Sequence, residues 1–183
     1  MLKKVVIIGP ESTGKSTLCE QLARHYNTRW CPEYAREYLL THGMNYTYDD
    51  LLTIAKGQLA QEDHYVAELA QTKDANSQQP SLLFVDTDMY VMKVWCQFVF
   101  GKCHQWILDQ LAVRKYDLYL LCNIDLPWVK DELREYPNIE QRQQLYTIYR
   151  ELMVQQPLPW ADISGTHEER WQKALAAVDA LMP

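Results

Sequence analysis

The sequence predicts an α/β fold in three layers, a five-stranded parallel sheet with helices on both faces. Two observations carry this. Short β-branched apolar runs alternate with helical patterns along the whole chain, and the first run leads directly into a glycine-rich turn and a helix. The length of 183 residues, with 48% apolar and 23% charged side chains, provides for one domain with a hydrophobic core and hardly for two.

Lys3–Ile8 is short, apolar and β-branched, as a buried strand should be. Lys15–Tyr26 follows as a helix with Leu18, Leu22 and Tyr26 on one face. Thr28–Cys31 reads as a second short strand, and Pro32 opens a helix that runs to Gly43. The run Thr47-Tyr-Asp-Asp50 supplies capping groups for a long helix to about Thr72. A polar loop at Asn76–Pro80 precedes the strand Leu82–Val85, which is followed by helical stretches at Met89–Phe100 and Lys102–Lys115. Asp117–Cys122 is a further strand. Leu145, Ile148, Tyr149 and Leu152 recur at i, i+3, i+4 and i+7, marking an amphipathic helix. Ala161–Ser164 makes a last short strand, and Trp171, Leu175, Val178 and Leu181 mark the closing helix. No repeat and no linker interrupts the pattern, so residues 1–183 read as one domain.

Charge and cysteine usage narrow the class. Eighteen basic against 24 acidic residues leave a net charge of −6, with pI near 5.3, which argues against a protein that grips nucleic acid or anionic lipid. No apolar run approaches the roughly 20 residues of a membrane helix. The apolar stretch after Lys3-Lys4 ends at Gly9-Pro10, too soon for a signal peptide. The cysteines at 19, 31, 96, 103 and 122 form no CxxC pair and are odd in number, which suits reduced thiols and a cytoplasmic location.

The first turn carries the chemistry. Gly9-Pro-Glu11-Ser12-Thr13-Gly14-Lys15-Ser16 fits G-x-x-x-x-G-K-[ST] between a strand and a helix, the context a phosphate-binding loop (P-loop) requires. Curled backbone N–H groups and the helix N-terminus attract phosphate. Lys15 would reach the β- and γ-phosphates of ATP, the Ser16 hydroxyl would ligate Mg²⁺, and Glu11, Ser12, Thr13 and Thr17 complete the expected ATP-binding residues of the loop. The strand Leu82–Val85 runs into Asp86-Thr87-Asp88, the form of a Walker-B carboxylate for the Mg²⁺ shell. Asp88 is placed at the mouth of the same crevice, or as a helix cap.

The remaining motifs favour a small-molecule kinase. Asp86-Thr-Asp-Met89 and Asn123-Ile-Asp-Leu126 both miss the GTPase switch patterns, and a large motor or AAA-type ATPase would need more chain. A helical lid is expected at about residues 123–142, where Arg134 and Arg142 could neutralise the transferring phosphoryl group. The acceptor pocket is expected at Trp30-Cys-Pro-Glu33-Tyr34-Ala-Arg36, at the end of the second strand. There Glu33 could take a hydroxyl proton, and Arg36 could hold an acceptor or phosphoryl group. Trp30 and Tyr65 are the aromatic pair expected to sandwich a planar cationic ring. Glu33, Asp86 and Asp88 all stay open as the catalytic base.

Assembled in order, these pieces resemble the ribosylnicotinamide kinase domain of the bacterial NadR family, a P-loop kinase fold. The matching residues are Gly9–Ser16, Glu33-Tyr-Ala-Arg-Glu37, Gly57-Gln58, Phe84-Val-Asp-Thr-Asp88, Trp128-Val-Lys-Asp131 with Arg134, and Gln141-Arg142-Gln143-Gln144. The resemblance implies transfer of the ATP γ-phosphoryl group, with Mg²⁺, to the 5′-hydroxyl of nicotinamide riboside. It implies stacking of the nicotinamide ring between aromatics, for which Trp30 and the His64-Tyr65 pair stand nearest, and a substrate role for Trp128. Adenine would lie between the lid and the loop Ser164-Gly165-Thr166-His167.

Two departures stand out. The family lid reads Asp-Gly-x-Arg, whereas this chain has Asp131-Glu132-Leu133-Arg134, so lid flexibility is expected to differ. Neither the adenylyltransferase domain nor the helix-turn-helix found in NadR fits in this chain, so a free-standing kinase without a repressor role is expected. Another nucleoside or small hydroxyl compound stays open as acceptor. So does a regulatory ATP-binding module with none, and the oligomeric state.

Overall fold

In the computed structural model, which describes residues 2–72 and 81–182, the strands are β1 (Leu2–Ile8), β2 (Arg29–Cys31), β3 (Ser81–Asp86), β4 (Leu118–Cys122) and β5 (Trp160–Ile163). The helices are α1 (Lys15–His25), α2 (Tyr34–His42), α3 (Tyr48–Thr72), α4 (Met89–Phe100), α5 (Gln105–Val113), α6 (Ile139–Gln155) and α7 (His167–Asp179). The polar loop expected at Asn76–Pro80 lies outside the described residues.

All five strands pair in parallel, in the order β2-β3-β1-β4-β5. From β1 the chain leaves for β2 and β3 on one side, then crosses to β4 and β5 on the other. Open α/β sheets bind ligands at the carboxyl ends of strands where the order reverses in this way. The register fixes what meets there. Ile7 of β1 lies opposite Asp86 of β3, and the Thr87 N–H donates to the Ile7 carbonyl at 3.2 Å, so the end of β3 stands beside the entry to the glycine-rich turn.

Side chains alternate across the sheet with the period of two that a strand imposes. Val5 and Ile7 join Phe84 and Leu120 against Leu18 and Leu22 of α1 and Ala174 and Val178 of α7. Val6 and Ile8 point the other way, onto Val91 and Val94 of α4 and Leu145, Tyr149 and Met153 of α6. A third cluster, built among α2, α3, α4 and α5 around Leu51, Ile54, Met89, Met92 and Ile107, holds the helices that overhang the sheet's carboxyl edge.

Three helices start later than, or differently from, the sequence pattern. Pro32 does not open α2. Its carbonyl is taken by the amides of Gln58 (3.3 Å) and Gln61 (2.7 Å), and the helix starts at Tyr34, whose N–H donates to Gln58 Oε1 at 2.8 Å. The stretch expected from Lys102 starts only at Gln105, because His104, with extended backbone at ψ 132° and its ring nitrogen 2.9 Å from the Tyr48 carbonyl oxygen, is the N-cap. The closing helix begins at His167, where Thr166 and Glu169 form a reciprocal capping box.

Candidate active site

Gly9–Ser16 closes over the carboxyl end of β1, with Gly14, at φ +80°, as the left-handed residue that opens α1. Gly9 accepts no side chain: at φ +139°, a Cβ would lie 2.6 Å from the Cys122 carbonyl oxygen. Ser12 takes a left-handed conformation, φ 56°, at a cost of roughly 1 kcal/mol that the surrounding loop must overcome. The Pro10 carbonyl accepts from Thr13 Oγ1 at 2.7 Å and from Lys15 Nζ at 3.0 Å, which folds the lysine back across the loop. From behind, the buried Arg170 donates to the carbonyl of Thr13 at 2.5 Å and to Asp125 Oδ1 at 2.6 Å.

Beneath the loop, Ser16 Oγ donates to Asp86 Oδ2 at 2.5 Å, while Asp86 Oδ1 is buried with no hydrogen-bond partner. Burial, reinforced by the charge of Glu33 and opposed by Lys15 and Ser16, pushes the Asp86 carboxyl up to about 7. A hydroxyl touching a carboxylate that has one oxygen to spare is the donor set of a hard divalent cation, which takes one or two protein ligands and completes its shell with phosphate and water. The residues therefore fit Mg²⁺. Thr87, next in sequence, is buried at φ +76°, and its hydroxyl faces Glu33 Oε1 at 3.4 Å.

A cavity opens from the loop towards α2, α4 and α6. The P-loop residues Gly9–Thr17 form its floor, Glu33 and Arg36 stand on one side, and Trp95, Phe98 and Tyr149 stand on the other. Leu133, Arg134, Glu135 and Tyr136, from the connection between β4 and α6, form its roof. Asp131 accepts from the Leu133 N–H at 3.1 Å and pairs with Arg36 at 3.2 Å, so the Asp131-Glu132-Leu133-Arg134 run forms a turn held to α2. Arg134 reaches the cavity, with one guanidinium nitrogen on the Val129 carbonyl.

Of the residues selected from sequence, the cavity gathers Gly9, Glu11, Ser12, Thr13, Gly14, Lys15, Ser16, Thr17, Glu33, Arg36 and Arg134, with Asp86 directly beneath. Others are placed elsewhere. Trp30 and Tyr65 do come together, but in a separate hollow with Arg24 and Arg29. The pleat explains Trp30: Cys31 faces the α3–α4–α6 side, so its neighbour points to the α1 side. The rise along α3 explains Tyr65, which lies seven residues beyond Gln58 and hence about 10 Å down the helix axis from the cavity level. Asp88 does not reach the crevice mouth. Its buried carboxylate caps α4 through the Tyr90 N–H at 2.9 Å and accepts from the Tyr119 hydroxyl at 2.8 Å, and burial pushes it up to about 7.

Tyr34 packs its ring against the bare backbone of Gly57, and Trp128 donates its indole N–H to Glu11 at 3.1 Å. Arg142 is buried, with Nη2 on the Leu126 carbonyl at 3.3 Å and Nε unpartnered. Gly165 and Thr166 stay with the start of α7, where the Gly165 N–H donates to Asp125. The pattern missed Arg170 and the aromatic wall Trp95, Phe98 and Tyr136. Trp95 and Phe98 stand at i and i+3 on an apolar helix, the one signal that puts them on a common face.

Comparison with known proteins places this architecture in a family. The AAA_28 family model, described as AAA domain, matches residues 4–170. The chain belongs to that family. The expectation that an AAA-type ATPase needs more chain does not hold for this AAA domain, whose model is satisfied within these residues. The chain is 27% identical over 186 aligned positions to the trifunctional NAD biosynthesis/regulator protein NadR of Salmonella typhimurium, covering 99% of this chain and 43% of that relative. A NadR protein solved in complex with NR superposes with a TM-score of 0.78 at 24% identity, over 97% of this chain and 49% of that one. A second NadR structure, in complex with NAD and AMP-PNP, gives 0.70 at 23% identity with the same coverage. The chain thus spans less than half the length of the relatives it matches. No helix among the described residues is long and apolar enough to cross a membrane.

Proposed function

We propose that the protein is an ATP-dependent kinase that phosphorylates the 5′-hydroxyl of nicotinamide riboside, giving nicotinamide mononucleotide. One observation carries the reading: the cavity joined to the P-loop is walled by Trp95, Phe98 and Tyr136 and edged by the carboxylate of Glu33. Aromatic faces attract a planar cationic ring, and a carboxylate at the edge suits a ribose hydroxyl. The NadR relatives, one of them solved with NR, support the same choice of acceptor.

In this reading the loop amides and Lys15 hold the β- and γ-phosphates. Glu33 is the catalytic base, because Asp88 is sealed behind Tyr119 and Asp86 is committed to Ser16. As the acceptor oxygen forms its bond to the γ-phosphorus, its proton passes to Glu33. The bond from phosphorus to the bridging oxygen breaks, and ADP leaves. The helical lid expected at about residues 123–142 is instead a non-helical connection, 123–138, followed by the start of α6. Arg134 within that connection stabilises the charge on the transferring group. Ser16 and Asp86 would hold Mg²⁺, which neutralises phosphate charge when bound. The five free cysteines accord with the reducing conditions of a cytoplasm.

The test is product formation with ATP and Mg²⁺ across nicotinamide riboside, the common ribo- and deoxyribonucleosides, and no acceptor. Selective appearance of nicotinamide mononucleotide is the expected result. Preference for another nucleoside would keep the mechanism and reject the acceptor. ATP hydrolysis with no phosphorylated product would reject both.

A further inference from the structure

We infer that Glu11, inside the phosphate loop, is a positioning residue for the acceptor pocket: its carboxylate clasps the lid and thereby sets the pocket's aromatic walls. The inference rests on the reading of this cavity as an acceptor pocket. By its place in the sequence Glu11 belongs with the phosphate ligands, yet a carboxylate repels phosphate and offers no donor to it. Its bonds in the structure all run to the lid. Oε1 accepts from the Tyr136 N–H at 2.7 Å and from the Trp128 indole at 3.1 Å, and Oε2 accepts from the Glu135 N–H at 2.9 Å. Beside it, Ser12 Oγ accepts the Val129 N–H at 3.0 Å. Two consecutive loop residues therefore take four donors from one lid segment.

Two short routes lead from this clasp to α4. Tyr136, fixed through its backbone, sets its ring edge-on against Phe98, with centroids 5.4 Å apart. Glu135 accepts from the Tyr46 hydroxyl at 2.9 Å, and that hydroxyl accepts in turn from Trp95 Nε1 at 3.0 Å. Tyr46 also packs edge-on against Trp95, at 5.0 Å. Every link has a fixed direction: the carboxylates only accept, the indole only donates, and the hydroxyl does both. The loop that grips the nucleotide is thus joined, through the lid and two tyrosines, Tyr136 and Tyr46, to two aromatic side chains that line the pocket.

The experiment has two readouts. Amide hydrogen exchange, measured without substrate, reports the clasp. Steady-state kinetics with nicotinamide riboside and ATP report its consequence. Glu11→Ala is expected to speed exchange at residues 135 and 136 and to raise the acceptor KM about tenfold, with a smaller rise in the ATP KM. Glu11→Gln keeps Oε1 but turns an amide N–H₂ towards the Glu135 N–H, so it should fall between wild type and Glu11→Ala. Tyr46→Phe, which keeps the ring and loses the bridge, should leave exchange at 135 and 136 unchanged and still raise the acceptor KM about threefold.

An unchanged acceptor KM in Glu11→Ala overturns the proposal, and a defect confined to the ATP KM overturns it and moves the role of Glu11 to the nucleotide side. Should the wild-type protein phosphorylate no nucleoside at all, the functional reading falls first and takes the positioning role with it. An active wild type with an unaffected Glu11→Ala variant removes the positioning role alone.

Discussion

On its phosphate side the cavity is one unbroken stretch of chain, Gly9–Thr17, fixed by Asp86 below and Arg170 behind. On its acceptor side it is a meeting place, where α2, α4, α6 and the lid each contribute a few side chains. The first side offers backbone groups, whose geometry the fold determines. The second offers side chains, whose identity any substitution changes. On the proposed function, the choice of acceptor therefore belongs to the distributed side and the hold on the phosphates to the continuous one, while the transfer step draws on both through Glu33, Arg134 and Lys15.

The sharpest way to break this division is at Asp86. Asp86→Asn should cut kcat by on the order of a hundredfold or more while leaving the acceptor wall untouched. The same substitution should raise the thermal midpoint at pH 8, because it removes a buried charge that the folded protein holds at a cost. A lower midpoint would mean that Asp86 supports the fold rather than the cation site. Next in size, Glu33→Gln should lower kcat about a hundredfold with nucleotide affinity retained. Wild-type turnover in that variant would send the proton elsewhere.

Trp95→Ala tests the distributed side. It should raise the acceptor KM about three- to tenfold, the worth of one aromatic face, and leave the ATP KM near its wild-type value. An equal rise in both constants would show that the two sides are one structural unit. The smallest effect separates the paired aspartates. Asp86 and Asp88 are both pushed up to about 7, so the nucleotide-free folded protein keeps protons that the unfolded chain gives up at about 4. Stability should accordingly fall as pH rises from about 4 to about 7. Asp88→Asn, which still caps α4, should flatten that fall by Asp88's share without changing turnover. An unaltered slope in thermal melts between pH 5 and 7.5 would assign the loss to other groups.

How legible each part was follows from the same division. The strands, their order of appearance and the P-loop could be read because β1, the turn and α1 are contiguous and each needs particular residues: Val and Ile to be buried, Gly9 where nothing larger fits, Lys15 and Ser16 at the turn's end. Asp86 was legible because it ends an apolar strand. Trp30 is misleading in the sequence because it stands near Glu33 along the chain, while the pleat turns it to the opposite face. Asp88 misled because a capping aspartate and a ligand aspartate look alike until Tyr119, 31 residues away, is brought onto it. Trp95, Phe98 and Arg170 could not be singled out, since nothing local marks a side chain whose partners lie on other elements.

Gly57 lies outside the cavity and touches neither nucleotide nor acceptor side, yet a Cβ there would stand 2.1 Å from the Tyr34 ring. The residue before Tyr34 is Glu33, the N-cap of α2, and Arg36 stands in the first turn. The close seat of the Tyr34 ring on the α3 backbone, permitted by a missing methyl group, therefore acts as a caliper for the chamber. A single codon change at position 57 would push the Tyr34 ring off its seat and shift the chamber wall while every residue that faces the ligand keeps its identity.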